Sequence, residues 1–140
     1  MREPGERTAQ DLTDKLIRNL KMFSDSLSES TVIGIRPHGT KMKCNFLVSV
    51  NEKQYAVITK FQFSAGSVDF KLPYEAISLA YSVQASENLD GGFLILGGTG
   101  YSKGMLNFML HDIQSWINLG HNIRILTLDD FISVLRARNL

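Results

Sequence analysis

The sequence predicts a mixed α/β domain in which a central sheet carries helices on both of its faces. Three β-prone runs follow one another in the first half of the chain, and apolar strands alternate with helices in the second half. Consecutive short strands favour antiparallel pairing, whereas strand–helix alternation favours parallel pairing. The length of 140 residues suits one domain, so we expect residues 1–140 to fold as a single unit.

The first part of the chain predicts a helix, a loop and three strands. Apolar residues recur at three- and four-residue spacing from about Thr8 to Phe23, and Thr8 suits the N-cap. The polar residues 25–30, DSLSES, are expected to form a loop. Three strands follow, and a tight turn around Asn51 and Glu52 joins the last two as an antiparallel hairpin. These strands are TVIGIRP, KCNFLVSV and QYAVITKFQF.

Helices and strands alternate in the rest of the sequence. Pro73 suits the first turn of a helix, which the apolar pattern extends to about Gln84. The run GFLIL predicts a buried strand, GMLNFMLHDIQSWI a helix whose inward face includes Trp116, and IRILTL a last strand. The final helix, DDFISVLRARN, is expected to be capped by Asp129 or Asp130. The predicted order is therefore α, β, β, β, α, β, α, β, α.

Composition excludes several classes of protein. Hydrophobic residues make up 44% of the chain, which is too many for a disordered protein, and no apolar run is long enough to cross a membrane. Charged residues follow Met1 where a secretory signal would be apolar. The single cysteine, Cys44, excludes an internal disulfide and suits a reducing compartment. We therefore expect an intracellular protein that has no membrane partner.

Positive charge is concentrated in the middle of the chain. The net charge is only +1, but the stretch from Arg36 to Lys71 holds six basic side chains against two acidic ones. Such a stretch is either an ordinary solvated surface or part of a surface for a phosphate backbone. The basic residues are Arg36, Lys41, Lys43, Lys53, Lys60 and Lys71.

A glycine-rich run, GGFLILGGTGYSKG, lies between a predicted strand and a predicted helix. Gly98, Gly100 and Gly104 there, with Asp129 after the next strand, resemble a small dinucleotide-binding site. The spacing is looser than G-x-G-x-x-G, and the chain lacks the further parallel strands of such a site. The simpler interpretation is that these glycines allow a sharp turn between the strand and the helix. Lys103 in this run could also contact a nucleic-acid phosphate.

The most informative stretch runs from the end of the third strand into the second helix. Seven residues of this stretch follow a recognisable spacing without a gap. They are Lys60, Gln62, Gly66, Ser67, Lys71, Pro73 and Tyr74. This pattern resembles the PD-(D/E)XK nuclease superfamily, and within it the restriction-type and related endonucleases. The resemblance implies a restriction-endonuclease-like αβββαβ core from the first helix through the GFLIL strand. A helix, a strand and a helix would then follow at the C-terminal end.

The resemblance also implies a chemistry. In this superfamily two carboxylates on adjacent strands hold Mg²⁺, which activates water for hydrolysis of a phosphodiester bond in DNA. Lys60 stands where the family's lysine helps to orient the nucleophile and stabilise charge. Gln62, two residues later, points to the same face of its strand because side chains alternate. Lys60 and Gln62 are therefore candidate catalytic residues.

Both metal-binding carboxylates are replaced in this sequence. Ile58 stands two residues before Lys60, where the family has an acid, and Asn45 aligns best with the family's aspartate. Three interpretations remain open. Asn45 could be a silenced aspartate, the acids could have moved to Glu6, Glu75 or Asp69, or the domain could bind DNA or a protein without cleaving. Asn45, Glu6 and Glu75 are accordingly the candidate metal ligands, and Asn45 and Glu6 also candidate catalytic residues.

DNA is the partner that the resemblance implies. We expect the loop from Ser64 to Lys71 to lie beside Asn45 and Lys60 in one concave, basic site. By analogy with nucleases of this size, the chain is expected to form a homodimer or a larger homo-oligomer, in the cytoplasm or at the nucleoid. The candidate contacts to DNA are Lys41, Lys43, Ser67, Lys71 and Lys103.

Overall fold

The computed structural model describes residues 6–65 and 67–140 as one α/β unit. The helices are α1 (Ala9–Phe23), α2 (Leu72–Ala85), α3 (Lys103–Asn107), α4 (Ile113–Trp116) and α5 (Leu128–Arg136). The strands are β1 (Ser26–Ile35), β2 (Lys41–Val50), β3 (Lys53–Phe61), β4 (Gly91–Gly97) and β5 (Ile123–Thr127). A 3-10 turn, Ser67–Lys71, runs directly into α2, and a π-helical turn, Phe108–Asp112, joins α3 to α4.

The strands form one mixed sheet in the order β1-β2-β3-β4-β5. The β1–β2 and β2–β3 pairs are antiparallel, whereas β3–β4 and β4–β5 are parallel. Parallel neighbours need a crossover, which α2 and the α3–α4 segment provide. The predicted mixed sheet and the αβββαβ order from α1 to β4 are therefore confirmed.

Helices cover both faces of the sheet, as predicted. On one face, α2 and the α3–α4 segment bury Leu79 and Met109 against Ile58 and Leu94. On the other face, α1 and α5 bury residues such as Leu16 and Phe131 against Val57 and Phe93. We call these the α2-side core and the α1-side core. No helix of the described residues is long and apolar enough to span a membrane.

The hairpin between β2 and β3 has the predicted tight turn. Asn51 and Glu52 both adopt left-handed backbone conformations, with φ of 55° and 68°. Two consecutive positive φ values are the geometry of a type I′ turn, whose twist matches that of antiparallel strands. Thr8 caps α1 as predicted, because its side chain accepts from the Asp11 N–H while the Asp11 carboxylate accepts from the Thr8 N–H.

Residues 25–30 do not form the predicted loop, because β1 already begins at Ser26. Ser26 pairs with Ser49 of β2, and the pairing continues along the strand despite its serine-rich start. β1 is an edge strand with one hydrogen-bonding partner, so most of its side chains remain in solvent and its polar sequence is tolerated. Backbone pairing therefore outweighed the local preference for a loop.

Two predictions in the second half were wrong. The predicted helix after β4 is broken by the π-helical turn, which rotates the residues beyond it, and Trp116 is 80% exposed instead of buried. The cap of α5 is Thr127, whose Oγ1 accepts from the Asp130 N–H at 3.2 Å, and not Asp129 or Asp130. The helix therefore begins at Leu128, two or three residues earlier than a cap at Asp129 or Asp130 would place it.

Candidate functional site

The candidate site lies where the end of β3 meets the beginning of α2. Lys60 is the penultimate residue of β3, and Glu75 lies in the first turn of α2. Pro73 fits this turn because a helix leaves its first backbone N–H groups without internal partners. The 3-10 turn before α2 thus fixes where Glu75 emerges relative to β3.

Glu75 is the centre of an ion cluster. Its Oε1 lies 3.1 Å from Nη2 of Arg36 and 3.7 Å from Nζ of Lys60. The Glu75 side chain is only 12% exposed, against 20% for Arg36 and 33% for Lys60. We call these three residues the Glu75 cluster. One carboxylate between two cations leaves the cluster with a net positive charge.

A histidine–tyrosine pair lies against the same cluster. Nδ1 of His38 is hydrogen-bonded to the Tyr74 hydroxyl, and Nε2 of His38 lies 3.0 Å from Oγ1 of Thr40. The Arg36 guanidinium lies 6.0 Å from the centroid of the Tyr74 ring, within the range of a cation–π contact. The turn between β1 and β2 is therefore held to the start of α2 by Arg36 and His38 together.

Asn45 is exposed on β2 and has a structural partner. Its Oδ1 accepts from the Thr59 N–H at 2.9 Å. This hydrogen bond lies directly beyond the pair formed by Phe46 and Val57, where the pairing of β2 with β3 ends. Cys44 is buried in the α2-side core, whereas Phe46 is buried in the α1-side core. The strand thus changes the face that it buries at Asn45. The amide oxygen replaces a backbone acceptor at the point where β2 leaves β3.

The residues present do not fit a resident Mg²⁺ ion. Ile58, at the acid position of the family, is 2% exposed and packs in the α2-side core. The Asn45 oxygen is engaged by Thr59, and Glu75 is already paired with two cations. Among the described residues, no group of three or more His, Cys, Asp or Glu side chains could hold a metal ion. Mg²⁺ prefers carboxylate ligands, and among the described residues of the Glu75 cluster Glu75 alone offers one.

Gln62 connects β3 to the glycine-rich loop after β4. The Gln62 N–H donates to the Gly97 carbonyl at 3.0 Å, and the Gly100 N–H donates to the Gln62 carbonyl at 2.8 Å. The Gln62 side chain donates to the Gly100 carbonyl at 3.2 Å. A Cβ on Gly98 would come within 2.1 Å of the Gln62 carbonyl oxygen, so this close approach accounts for the glycine. The loop is packed against β3 as a structural turn.

Tyr101 supports the same strand end. Its hydroxyl donates to the Lys60 carbonyl at 2.7 Å, and burial, with a smaller contribution from the Asp69 charge, raises the pKa of Tyr101 to about 12. Asp69 Oδ2 accepts from the Ser102 N–H at 3.4 Å, while its Oδ1 is buried without a hydrogen-bond partner in the described part of the chain. The backbone that presents Lys60 is therefore buttressed from the loop after β4.

Glu6 does not join the Glu75 cluster. It precedes α1 and lies 2.6 Å from Nζ of Lys15, which also lies 3.2 Å from Oδ1 of Asp129. These three residues, the Lys15 cluster, lie on the α1 side of the sheet, where Glu6 and Asp129 line a cavity of about 180 Å³ with Gly97 and Gly98. Glu6 thus precedes the capping box of α1 and pairs with a lysine of that helix.

The remaining predicted contacts to DNA are exposed lysines or lie outside the described residues. Lys41 and Lys43 are exposed on β2, Lys71 is exposed at the start of α2, and Lys103 is exposed at the start of α3. Gly66 and the side chain of Ser67 are not among the described parts of the chain. Sequence reasoning placed Arg36 in the basic stretch but missed its contact with Glu75, for which no local signal exists.

A family model matches residues 7–138, almost the whole chain, and describes a PD-(D/E)XK nuclease superfamily domain. The chain belongs to this superfamily. Nucleases of the PD-(D/E)XK superfamily typically use divalent metal ions. The predicted family is thereby confirmed, and the missing acids at positions 45 and 58 are departures within it. No curated protein sequence matches the chain.

Three solved structures resemble this PD-(D/E)XK domain at low identity. A protein of unknown function has a TM-score of 0.48 and 9% identity, over 81% of this chain and 54% of that one. The small subunit of a heterodimeric restriction endonuclease has a TM-score of 0.46 and 12% identity, over 90% of this chain and 66% of that one. A Vibrio cholerae protein has a TM-score of 0.40 and 12% identity, over 91% of this chain and 29% of that one. The chain thus spans about half of the first of these proteins.

Proposed function

We propose that this PD-(D/E)XK domain binds the phosphate backbone of DNA at the Glu75 cluster and does not cleave it with a metal ion. One observation carries the proposal. Ile58, at the position of the family's acid, is buried with an exposure of 2%. A carboxylate cannot be supplied from that position without disturbing the core. The nuclease scaffold supports DNA as the partner, and the side chains favour binding over hydrolysis.

The Glu75 cluster supplies the cations for a phosphate. The guanidinium of Arg36 can donate two parallel hydrogen bonds to a phosphate, and Lys60 contributes a point charge. Both side chains remain partly exposed, at 20% and 33%. Glu75 keeps them in place in the absence of a ligand, and exposed lysines such as Lys41 and Lys71 extend the positive surface.

The salt dependence of DNA binding tests this proposal. The logarithm of the affinity for duplex DNA falls with the logarithm of the salt concentration by about 0.9 for each neutralised phosphate. We expect a variant with Arg36→Gln and Lys60→Gln to bind more weakly, with a slope lower by about 1.8, because it loses two such contacts. Titrations of a labelled duplex by fluorescence anisotropy at several salt concentrations measure both quantities.

Lys53→Gln is the matched control, because Lys53 begins the strand that Lys60 nearly ends. The double variant is also made with Glu75→Gln, so that no buried carboxylate is left without a cation, and thermal unfolding checks that each variant is folded. An equal change of slope for Lys53→Gln, or an unchanged slope for the double variant, would move the DNA surface away from the Glu75 cluster.

Metal-dependent cleavage is the second candidate function, and the position of Glu75 favours it. Glu75 Oε1 lies 3.7 Å from Lys60 Nζ, as would be needed if the acid had moved from β3 to α2. Cleavage of supercoiled plasmid in Mg²⁺ and Mn²⁺ separates the two functions. It is measured for the original chain, for Asn45→Asp, and for Asn45→Asp with Lys60→Ala.

The Asn45→Asp variant should fold, because an aspartate oxygen can accept from the Thr59 N–H as the amide oxygen does. We expect no cleavage by any of the three proteins. Nicking that appears with Asn45→Asp and disappears with Lys60→Ala would instead identify a silenced nuclease. The homo-oligomer and the intracellular location stay predictions; light scattering of the purified chain tests the former.

A further inference from the structure

Phe70 is an exposed aromatic residue five positions before Glu75 in the sequence. Its side chain is 81% exposed, which is unusual for a phenylalanine. It lies in the 3-10 turn Ser67–Lys71, which continues without a break into α2. Phe70 therefore precedes Tyr74 by about one helical turn, with Lys71 between them. The exposed ring is therefore adjacent in sequence to Lys71 and about one turn from Tyr74, whose ring the Arg36 guanidinium approaches.

Trp116 is equally exposed, at 80%, but lies in a different charge environment. It ends α4, within residues 104–123, where the sequence has neither lysine nor arginine. An exposed ring alone indicates no ligand, because single apolar side chains at a surface are common. Phe70 differs from Trp116 because its exposed ring is close in sequence to the residues of the proposed phosphate-binding surface.

An aromatic ring next to cations is the arrangement that recognises unpaired bases. Proteins that bind single strands combine a basic groove for the backbone with rings on which bases stack. In a duplex the base faces are stacked on each other and are closed to such a ring. We infer that the domain prefers single-stranded to duplex DNA, with Phe70 stacking on a base whose neighbouring phosphate contacts the Glu75 cluster. This inference rests on the proposed function.

The test compares a labelled single strand with the duplex of the same mixed sequence, measured by fluorescence anisotropy at fixed salt. We expect tighter binding of the single strand. Phe70→Ala should weaken single-strand binding by ~5- to 150-fold, the range for loss of one stacked base, and leave duplex binding unchanged. Because no charge is removed, the salt slope should not change. Phe70→Trp should retain the preference.

Trp116→Ala is the matched control and should change neither affinity. Both replaced side chains are exposed, and thermal unfolding of each variant confirms that it is folded. Equal affinity for the two forms of DNA, or a Phe70→Ala variant that binds the single strand normally, would overturn the stacking role while leaving backbone binding intact. Binding of neither form by the original chain would overturn the proposed function as well.

Discussion

The two ion clusters of the molecule have opposite charge patterns. In the Glu75 cluster one carboxylate lies between two cations, whereas in the Lys15 cluster one ammonium group lies between two carboxylates. Both clusters lie near the carboxyl ends of parallel strands, where ligands usually bind in α/β sheets. The first carries a formal charge of +1 and the second of −1, so only the Glu75 cluster is suited to a phosphate.

Burial alone does not separate the clusters. Their central groups, Glu75 and Lys15, are 12% and 15% exposed, and the outer Asp129 of the Lys15 cluster is 77% exposed. The groups of the Glu75 cluster that reach water are its cations, Arg36 at 20% and Lys60 at 33%. Ions that reach water can exchange a protein partner for a ligand, whereas ions held away from water mainly stabilise the fold. Because its accessible groups are cations, the Glu75 cluster is suited to bind a phosphate, whereas the Lys15–Glu6 pair is suited to stabilise the fold.

The largest expected effect is on stability, from removing the central charge of each cluster. Lys15→Met should lower the free energy of unfolding by about 3 kcal/mol, because it leaves the half-buried Glu6 without its cation. Glu75→Gln should lower it by about 1 kcal/mol or less, because Arg36 and Lys60 can turn to water. Urea unfolding at neutral pH measures both. Equal losses would remove the structural distinction between the clusters.

Alkaline pH should weaken the support of Lys60 by Tyr101. The folded pKa of about 12 lies above the usual value near 10, so the unfolded chain loses the Tyr101 proton first as pH rises. The stabilising contribution is fully present below pH ~10, and about 2 kcal/mol of it should be lost by pH ~12. Tyr101→Phe should remove this part of the alkaline loss in urea unfolding. Tyr81→Phe, at an exposed tyrosine, should not.

Neutralising Glu75 should strengthen DNA binding. Glu75→Gln frees the two cations of the cluster and should raise the affinity about 5-fold, close to 1 kcal/mol, which is typical of a partly exposed ion pair. Asp129→Asn removes one acidic charge from the Lys15 cluster and should leave DNA affinity nearly unchanged. Anisotropy titrations compare the two variants. If both raised the affinity alike, overall charge would explain the binding and the location of the cluster would not matter.

The variant with the least expected effect on stability replaces the lysines outside both clusters. Replacing Lys41, Lys43 and Lys71 together by Ala should flatten the salt dependence of DNA binding, by up to about 0.9 for each lysine that contacts a phosphate. The variant should unfold like the original chain, because all three side chains are exposed. An unchanged slope would exclude these three lysines from the contacts to DNA.

Local features of the sequence were enough to predict most of the elements. Apolar spacing located α1, a tight turn was predicted around Asn51 and Glu52, and Pro73 marked the start of α2. These features depend on residues within one or two turns of each other, so the sequence carries them directly. The motif around Lys60 likewise identified the superfamily, because its spacing is local. The π-helical turn that exposes Trp116 had no such signal.

Only the tertiary structure decided which charges meet. Arg36, Lys60 and Glu75 come from a turn, a strand and a helix, and Glu6 was expected beside Lys60 but pairs with Lys15. The sequence by itself determined that two acids of the family are replaced and that the middle of the chain is basic. The sequence could not determine which charged residues pair with each other, because ion pairs between distant residues depend on how β3 and α2 pack. Packing of whole elements, and not local preference, sets those distances.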